Sequence, residues 1–202
     1  MSSLISAAQE AVAIPLQYAR AGSSLVHAAM AGAQRCELLA HYPRHDVVDP
    51  LHRTRYYYHA HGSRRQPSAE HGHFHVFSHG AAAGDYVHLV GISLDAVGQP
   101  LRLFTTNRWV TGEVWRDASE IQTLLEPFQV HTRGRMAPVS RWITAMVRLY
   151  RPQIGQLLRR RDACMARRSD RGGIEALWED RRLDVVSQRR ISLVQRIQQL
   201  GR

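Results

Sequence analysis

The chain contains no lysine, so all 27 of its basic side chains are arginine. An all-arginine set is typical of a GC-rich bacterial genome, and selection of arginine for phosphate binding is the alternative that composition leaves open. With 17 acidic residues among 202, the formal charge is +10. The excess lies in the last third, because residues 133–202 hold 17 arginines against 6 acids and residues 1–132 hold 10 against 11.

Long apolar runs are also missing, and cysteines are few. No run approaches the roughly 20 residues that cross a bilayer, and Glu10 interrupts the stretch that would be apolar in a secretory signal. The two cysteines, Cys36 and Cys164, are far apart and form no C-x-x-C pair. We therefore expect a cytoplasmic protein without a membrane span or a disulfide framework.

The N-terminal quarter is predicted to be helical only in part. Residues 1–22 are interpreted as a loose arm, because a proline and a glycine interrupt them. Ser23 or Ser24 is expected to cap a helix that ends before Pro43. A polar connection over 44–50 would then lead into the rest of a single domain spanning 23–202.

Strand-like alternation begins near residue 55 and predicts four strands before residue 106. Short turns between consecutive strands favour an antiparallel meander. Helical patterns follow over 117–200, and Asp117 with Glu120 resembles a capping box. The predicted architecture is α+β, a four-stranded antiparallel meander with helices before and after, packed on one face.

Histidine is the second unusual feature, since nine of the twelve histidines lie between residues 41 and 79. Alternate residues of a strand share a face, so His59 and His61 lie together on the first strand and His73 and His75 on the second. If odd-numbered residues pair across the hairpin, four imidazoles converge. A slip by one residue would bring tyrosines to the histidines instead.

Converging imidazoles are the ligands of transition metals. We expect His59, His61, His73 and His75 to bind a divalent metal such as Zn, Fe, Mn, Ni or Cu. The expected catalytic partners are a carboxylate from Glu70 or Glu113 and a phenol from Tyr58, or from its neighbour. The histidines could instead form a metal-free acid–base or anion site, or a solvated sheet face.

A polar stretch follows the fourth strand, where loops commonly bind ligands. Asn107, Arg108 and Trp109 are expected to orient a small polar or anionic substrate, with the guanidinium binding a carboxylate or phosphate. The alternative is structural, with Asn107 in a turn and the tryptophan in the core. Hydrolysis and oxygen-dependent oxidation are both compatible with such a site.

Three stretches together carry a family resemblance: RYYYHAH at 55–61, EHGHFHVF at 70–77 and TTNRWVTGE at 105–113. They resemble the signature stretches of an uncharacterised bacterial domain-of-unknown-function family, over about residues 25–200. The resemblance implies that the three stretches belong together, and it implies no activity.

The arginine-rich C-terminal third supports a second hypothesis, a non-enzymatic module that binds nucleic acid or an acidic partner. Six acidic residues interleave with these arginines, which favours solvated helix faces with local ion pairs. Nucleic acid is therefore the less favoured partner, behind a small molecule. An apolar stripe through Leu193, Val194, Ile197 and Leu200 leaves self-association open.

Overall fold

A computed structural model describes residues 2–33, 35, 37, 40–59, 69–79, 84–169 and 173–201. These residues form a sheet whose six strands are antiparallel and lie in chain order. The strands are β1 Tyr42–Asp49, β2 Thr54–His59, β3 Gly72–His79, β4 Tyr86–Leu94, β5 Pro100–Thr106 and β6 Val185–Arg190. The helices are α1 Ser2–Arg20, α2 Leu25–Ala29, α3 Arg108–Thr111, α4 Ala118–Leu125, α5 Ala137–Ser169, α6 Ile174–Trp178 and α7 Leu193–Leu200.

The predicted α+β antiparallel fold with helices before and after the sheet is confirmed, but the number of strands was wrong. The two missed strands are the edges, β1 and β6. Residues 44–50, most of β1, are polar and were predicted to be a connection. Residues 185–190, which form β6, were predicted to be helical, and the strand ends in exposed residues. The side chains of both edge strands are partly exposed, so neither strand has the apolar alternation by which the inner strands are recognised.

The N-terminal region differs from the prediction in both of its parts. Residues interpreted as a loose arm form α1, whose small side chains Ala7 and Ala11 are buried with Ile14 in the core. The next helix begins where it was predicted, since the Ser24 hydroxyl accepts the His27 backbone N–H at 3.1 Å. It ends already at Ala29, because the following backbone turns to a positive φ of 55° at Ala31.

One face of the sheet packs on the long helix α5 and forms the apolar core. Tyr56, Phe74 and Ile92 are completely buried on this face. The Phe74 ring lies 5.8 Å from that of Trp142 on α5, and the Tyr56 hydroxyl is 3.0 Å from that of Ser140. Since α5 covers this face, the opposite face of the sheet is where polar side chains collect. No helix among the described residues is long and apolar enough to cross a membrane.

Asp49 joins the end of β1 to the segment that precedes α5. Its buried carboxylate accepts the backbone N–H groups of Leu51, His52 and His131 at 3.0, 3.1 and 2.7 Å, and it contacts Nδ1 of His52 at 2.5 Å. Burial alone would raise the pKa of Asp49, but these hydrogen bonds outweigh it and hold the pKa below its ordinary value.

We predict that Asp49→Asn lowers the free energy of unfolding at pH 7 by about 2 kcal/mol. Because the folded-state pKa is lowered, the stabilisation is present above the unfolded pKa of about 3.9 and is lost as pH falls through the folded value. Urea unfolding of both proteins from pH 7 to pH 3 should therefore show a gap that closes only below about pH 4.

The matched control is Asp95→Asn, because Asp95 also accepts two backbone N–H groups but lies in an exposed turn. It should cost less than about 1 kcal/mol. Equal midpoints for Asp49→Asn and the wild type at pH 7 would contradict the prediction, and so would a gap that closes between pH 5 and pH 7.

Candidate metal centre

The register of β2 and β3 decides where the histidines point. His59 pairs with His73, and Tyr57 pairs with His75. Of the two registers that the sequence left open, the structure therefore has the one in which odd-numbered residues pair with odd-numbered residues. His61 itself lies outside the described residues. The three remaining imidazoles share the face of the sheet that is opposite to the α5 core.

His59, His73 and His75 form a compact buried cluster, called the histidine triad below. Their ring centroids are separated by 4.6, 5.0 and 4.9 Å, and the side chains are at most 6% exposed. Their ligand atoms all lie within 4.8 Å of one another. Nε2 of His73 is 2.9 Å from Nε2 of His59, close to the roughly 3 Å between two nitrogens bound at right angles to a metal at about 2.1 Å. The triad could hold a metal ion.

Glu70 positions one ring of the triad. Its Oε1 is 2.7 Å from Nδ1 of His73, and its Oε2 accepts from Nε and Nη2 of Arg102 at 3.1 and 3.0 Å. Burial alone would raise the pKa of Glu70, but His73 and Arg102 outweigh it and lower the pKa. A carboxylate on Nδ1 fixes the ring orientation and directs Nε2 toward the triad.

His88 joins the cluster through an irregularity in β4. The register shifts between Val76 and Phe77, so His88 lies opposite Phe77 on the triad face. Its Nε2 is 3.0 Å from Nδ1 of His75, and its Nδ1 is 3.2 Å from the Thr106 hydroxyl. Burial lowers the pKa of His88 to about 3, so the ring is neutral at pH 7 and orients His75 by hydrogen bonding.

Glu113, the second predicted carboxylate, lies behind His88. Its Oε2 accepts the His88 backbone N–H at 2.6 Å, and the side chain is buried. Burial raises the pKa of Glu113 to about 7. The carboxyl group can therefore exchange a proton near neutral pH, and His88 connects it to His75 of the triad.

Aromatic rings enclose the triad. The Phe104 ring lies 5.0 Å from His73 and 5.8 Å from His75, edge to face. It fits there because Gly91 is opposite, where any Cβ would overlap the ring. Tyr57 lies 5.2 Å from His75 on another side and is stacked on His41 at 3.7 Å.

Tyr58, the predicted catalytic phenol, lies on the other face of the sheet. It belongs to the apolar core, and its hydroxyl is 2.8 Å from Nδ1 of His71. Tyr58 lies there because odd-numbered residues of β2 face the triad, and the even-numbered residues therefore face α5. Tyr57 is the tyrosine on the triad face, and burial raises its pKa above the ordinary value.

Asn107, Arg108 and Trp109 contact α6 and the segment that follows it before β6. Asn107 is completely buried, caps α3 and donates to the Leu177 carbonyl at 2.8 Å. Arg108 forms an ion pair with Glu179, and the Trp109 indole donates to the Leu183 carbonyl at 2.9 Å. These contacts fit the alternative in which the stretch has a structural role. The substrate-binding role stays a prediction.

Many arginines of the C-terminal third have local contacts of their own. Arg161 is buried over the Trp115 ring, Arg181 lies over Trp109, and Arg182 pairs with Asp180. Arg159 and Arg189 donate to glutamine side chains at 2.8 Å each. Binding of nucleic acid or an acidic partner stays a prediction.

Fold and site together define an α+β domain with a buried histidine triad that could hold a metal. The chain belongs to the family described as Domain of unknown function (DUF6969), whose model matches residues 5–191. The predicted resemblance to a family of that kind is thus confirmed. Neither the curated proteins nor the solved structures gave a match.

We predict that Glu70→Gln lowers the free energy of unfolding by about 3 kcal/mol, because it leaves the half-buried Arg102 without its counter-charge. The Glu70 side chain is completely buried and that of Arg102 is 13% exposed. Glu179→Gln is the matched control, since it removes the carboxylate of the exposed pair with Arg108 and should cost less than about 1 kcal/mol. Equal losses in chemical denaturation would contradict the prediction.

Proposed function

We propose that this protein binds a divalent transition metal through His59, His73 and His75 and uses it to bind or transform a small polar or anionic molecule. The observation that carries the proposal is the convergence of three buried imidazoles whose ligand atoms lie within 4.8 Å of one another. Three imidazole nitrogens on adjacent strands match the ligand preference of Zn, Fe, Cu, Ni and Mn.

The surroundings of the triad support metal binding over a solvated face. A carboxylate on Nδ1 of His73 and an imidazole on Nδ1 of His75 are the hydrogen-bond partners that orient metal-binding histidines. Nδ1 of His73 and Nδ1 of His75 are bonded to these partners, so each ring would bind the metal through Nε2. The rigid strands also limit the conformational entropy that is lost on binding.

The chemistry that a triad supplies is that of a metal with open positions. Three protein ligands leave room for water or substrate, and the metal would act as a Lewis acid or as a redox centre. The chain's own contribution is orientation and exclusion of bulk water, through the rings of Tyr57 and Phe104. Glu113 would hold a proton near neutral pH behind His88.

Metal analysis of protein purified without a chelating tag tests the proposal. We expect about one metal ion per chain in the wild type, and a loss of at least about tenfold in affinity for His73→Ala or His75→Ala. A chelator should lower the Tm of the wild type, because a metal that binds only the folded state stabilises it.

His45→Ala is the matched control, because His45 is an exposed histidine of the neighbouring strand β1. It should bind metal like the wild type. Circular dichroism establishes that each variant is folded before its metal content is compared. Substoichiometric metal in the wild type, with no gain in Tm from Zn, Fe, Mn, Ni or Cu, would refute the proposal.

A further inference from the structure

A cavity of about 670 Å³ lies beside the histidine triad. Its walls come from the end of α2, from the segment that leads into β1, and from the turn before α5. Its size is within the range of cavities that bind small molecules. Apolar residues such as Met30 form part of the wall, and a low-dielectric wall strengthens the field of charges nearby.

Charge distinguishes this cavity. Three arginines line it, Arg35, Arg44 and Arg135, against a single acidic residue, Glu37. Within the part of the chain that the structure describes, none of the three arginines has an ion-pair partner. Arg108, the predicted anion-binding residue, is paired with Glu179. Three guanidinium groups against one carboxylate leave the cavity with an excess of positive charge that attracts an anion, and a guanidinium can bind such an anion in bidentate fashion.

Tyr42 fixes the backbones of two residues that line the cavity, Arg35 and Glu37. The Tyr42 hydroxyl accepts the Glu37 backbone N–H at 2.7 Å and donates to the Arg35 carbonyl at 3.2 Å. Tyr42 itself is 7% exposed and belongs to the core, so these two hydrogen bonds start from a fixed side chain. A fixed backbone reduces the entropy lost when the side chains close on a ligand.

His41 connects the cavity to the triad. It lines the cavity, its ring is stacked on Tyr57, and its centroid lies 5.9 Å from that of His59. A ligand in the cavity would thus be one side chain away from the triad. Nδ1 of His41 is hydrogen-bonded to Oδ1 of Asp46 at 3.0 Å, and this contact holds the ring between the cavity and the triad.

We propose that the cavity lined by Arg35, Arg44 and Arg135 binds a small organic anion that carries carboxylate or phosphate groups, and that it holds this anion beside the metal. Anion binding follows from the cavity alone. The anion's identity as the substrate rests on the proposed metal function.

Isothermal titration with inorganic phosphate, succinate and succinamide tests the proposal on the full chain, both metal-loaded and chelator-treated. Succinamide has the shape of succinate without its charge, so it should not bind. We expect phosphate or succinate to bind the chelator-treated wild type, and the stronger of the two names the preferred group. Arg44→Gln and Arg135→Gln should each weaken binding at least about tenfold.

Arg160→Gln is the matched control, because it removes an exposed arginine of α5 that does not line the cavity. Its affinity should equal that of the wild type, and all three variants should retain the wild-type metal content. The exposed positions of Arg44 and Arg135 make these substitutions compatible with folding.

Absence of binding by both anions would overturn the proposal. Binding of succinamide as tight as that of succinate would also overturn it, and so would an affinity of Arg44→Gln and Arg135→Gln equal to that of Arg160→Gln. Anion binding that requires metal and ignores the arginines would also overturn it, while leaving the metal function intact. Arginine-dependent binding in a protein that takes up no metal even when Zn, Fe, Mn, Ni or Cu is added would support the anion site and refute the metal function.

Discussion

The pairing of His59 with His73 across β2 and β3 sorts the side chains of the whole sheet. With this register, Tyr56 and Phe74 pack toward α5, and the imidazoles converge on the opposite face. A shift by one residue would place histidines in the apolar core and tyrosines on the other face, at a cost in buried polar groups. The core therefore stabilises the register, and the register assembles the triad.

Burial of so many polar groups requires that each be bonded. Two chains of contacts bond several of these groups: Arg102 to Glu70 to His73, and Thr106 to His88 to His75. Through these contacts, residues of β5 and β4 orient the imidazole rings of His73 and His75 on β3. The triad is thus oriented by neighbouring strands, which makes the arrangement more specific than a histidine-rich surface.

Alternation in the sequence was sufficient to predict the inner strands, the antiparallel order and the shared face of His73 and His75, but it left open whether His59 lies on that face. It could not give the pairing partner, because parity is preserved when a register moves by two residues. The bulge that turns His88 to the triad has no sequence mark of its own. Arg102 was missed because a single arginine between leucines indicates only an outward-facing position, and its partner lies 32 residues away.

The most direct measurement is anomalous diffraction from crystals of the metal-loaded protein, with data collected on both sides of the absorption edge of the bound metal. A single peak at about 2.0–2.2 Å from one ring nitrogen each of His59, His73 and His75 is expected. A peak at another site, or none at the triad in protein saturated with metal, would contradict the central claim.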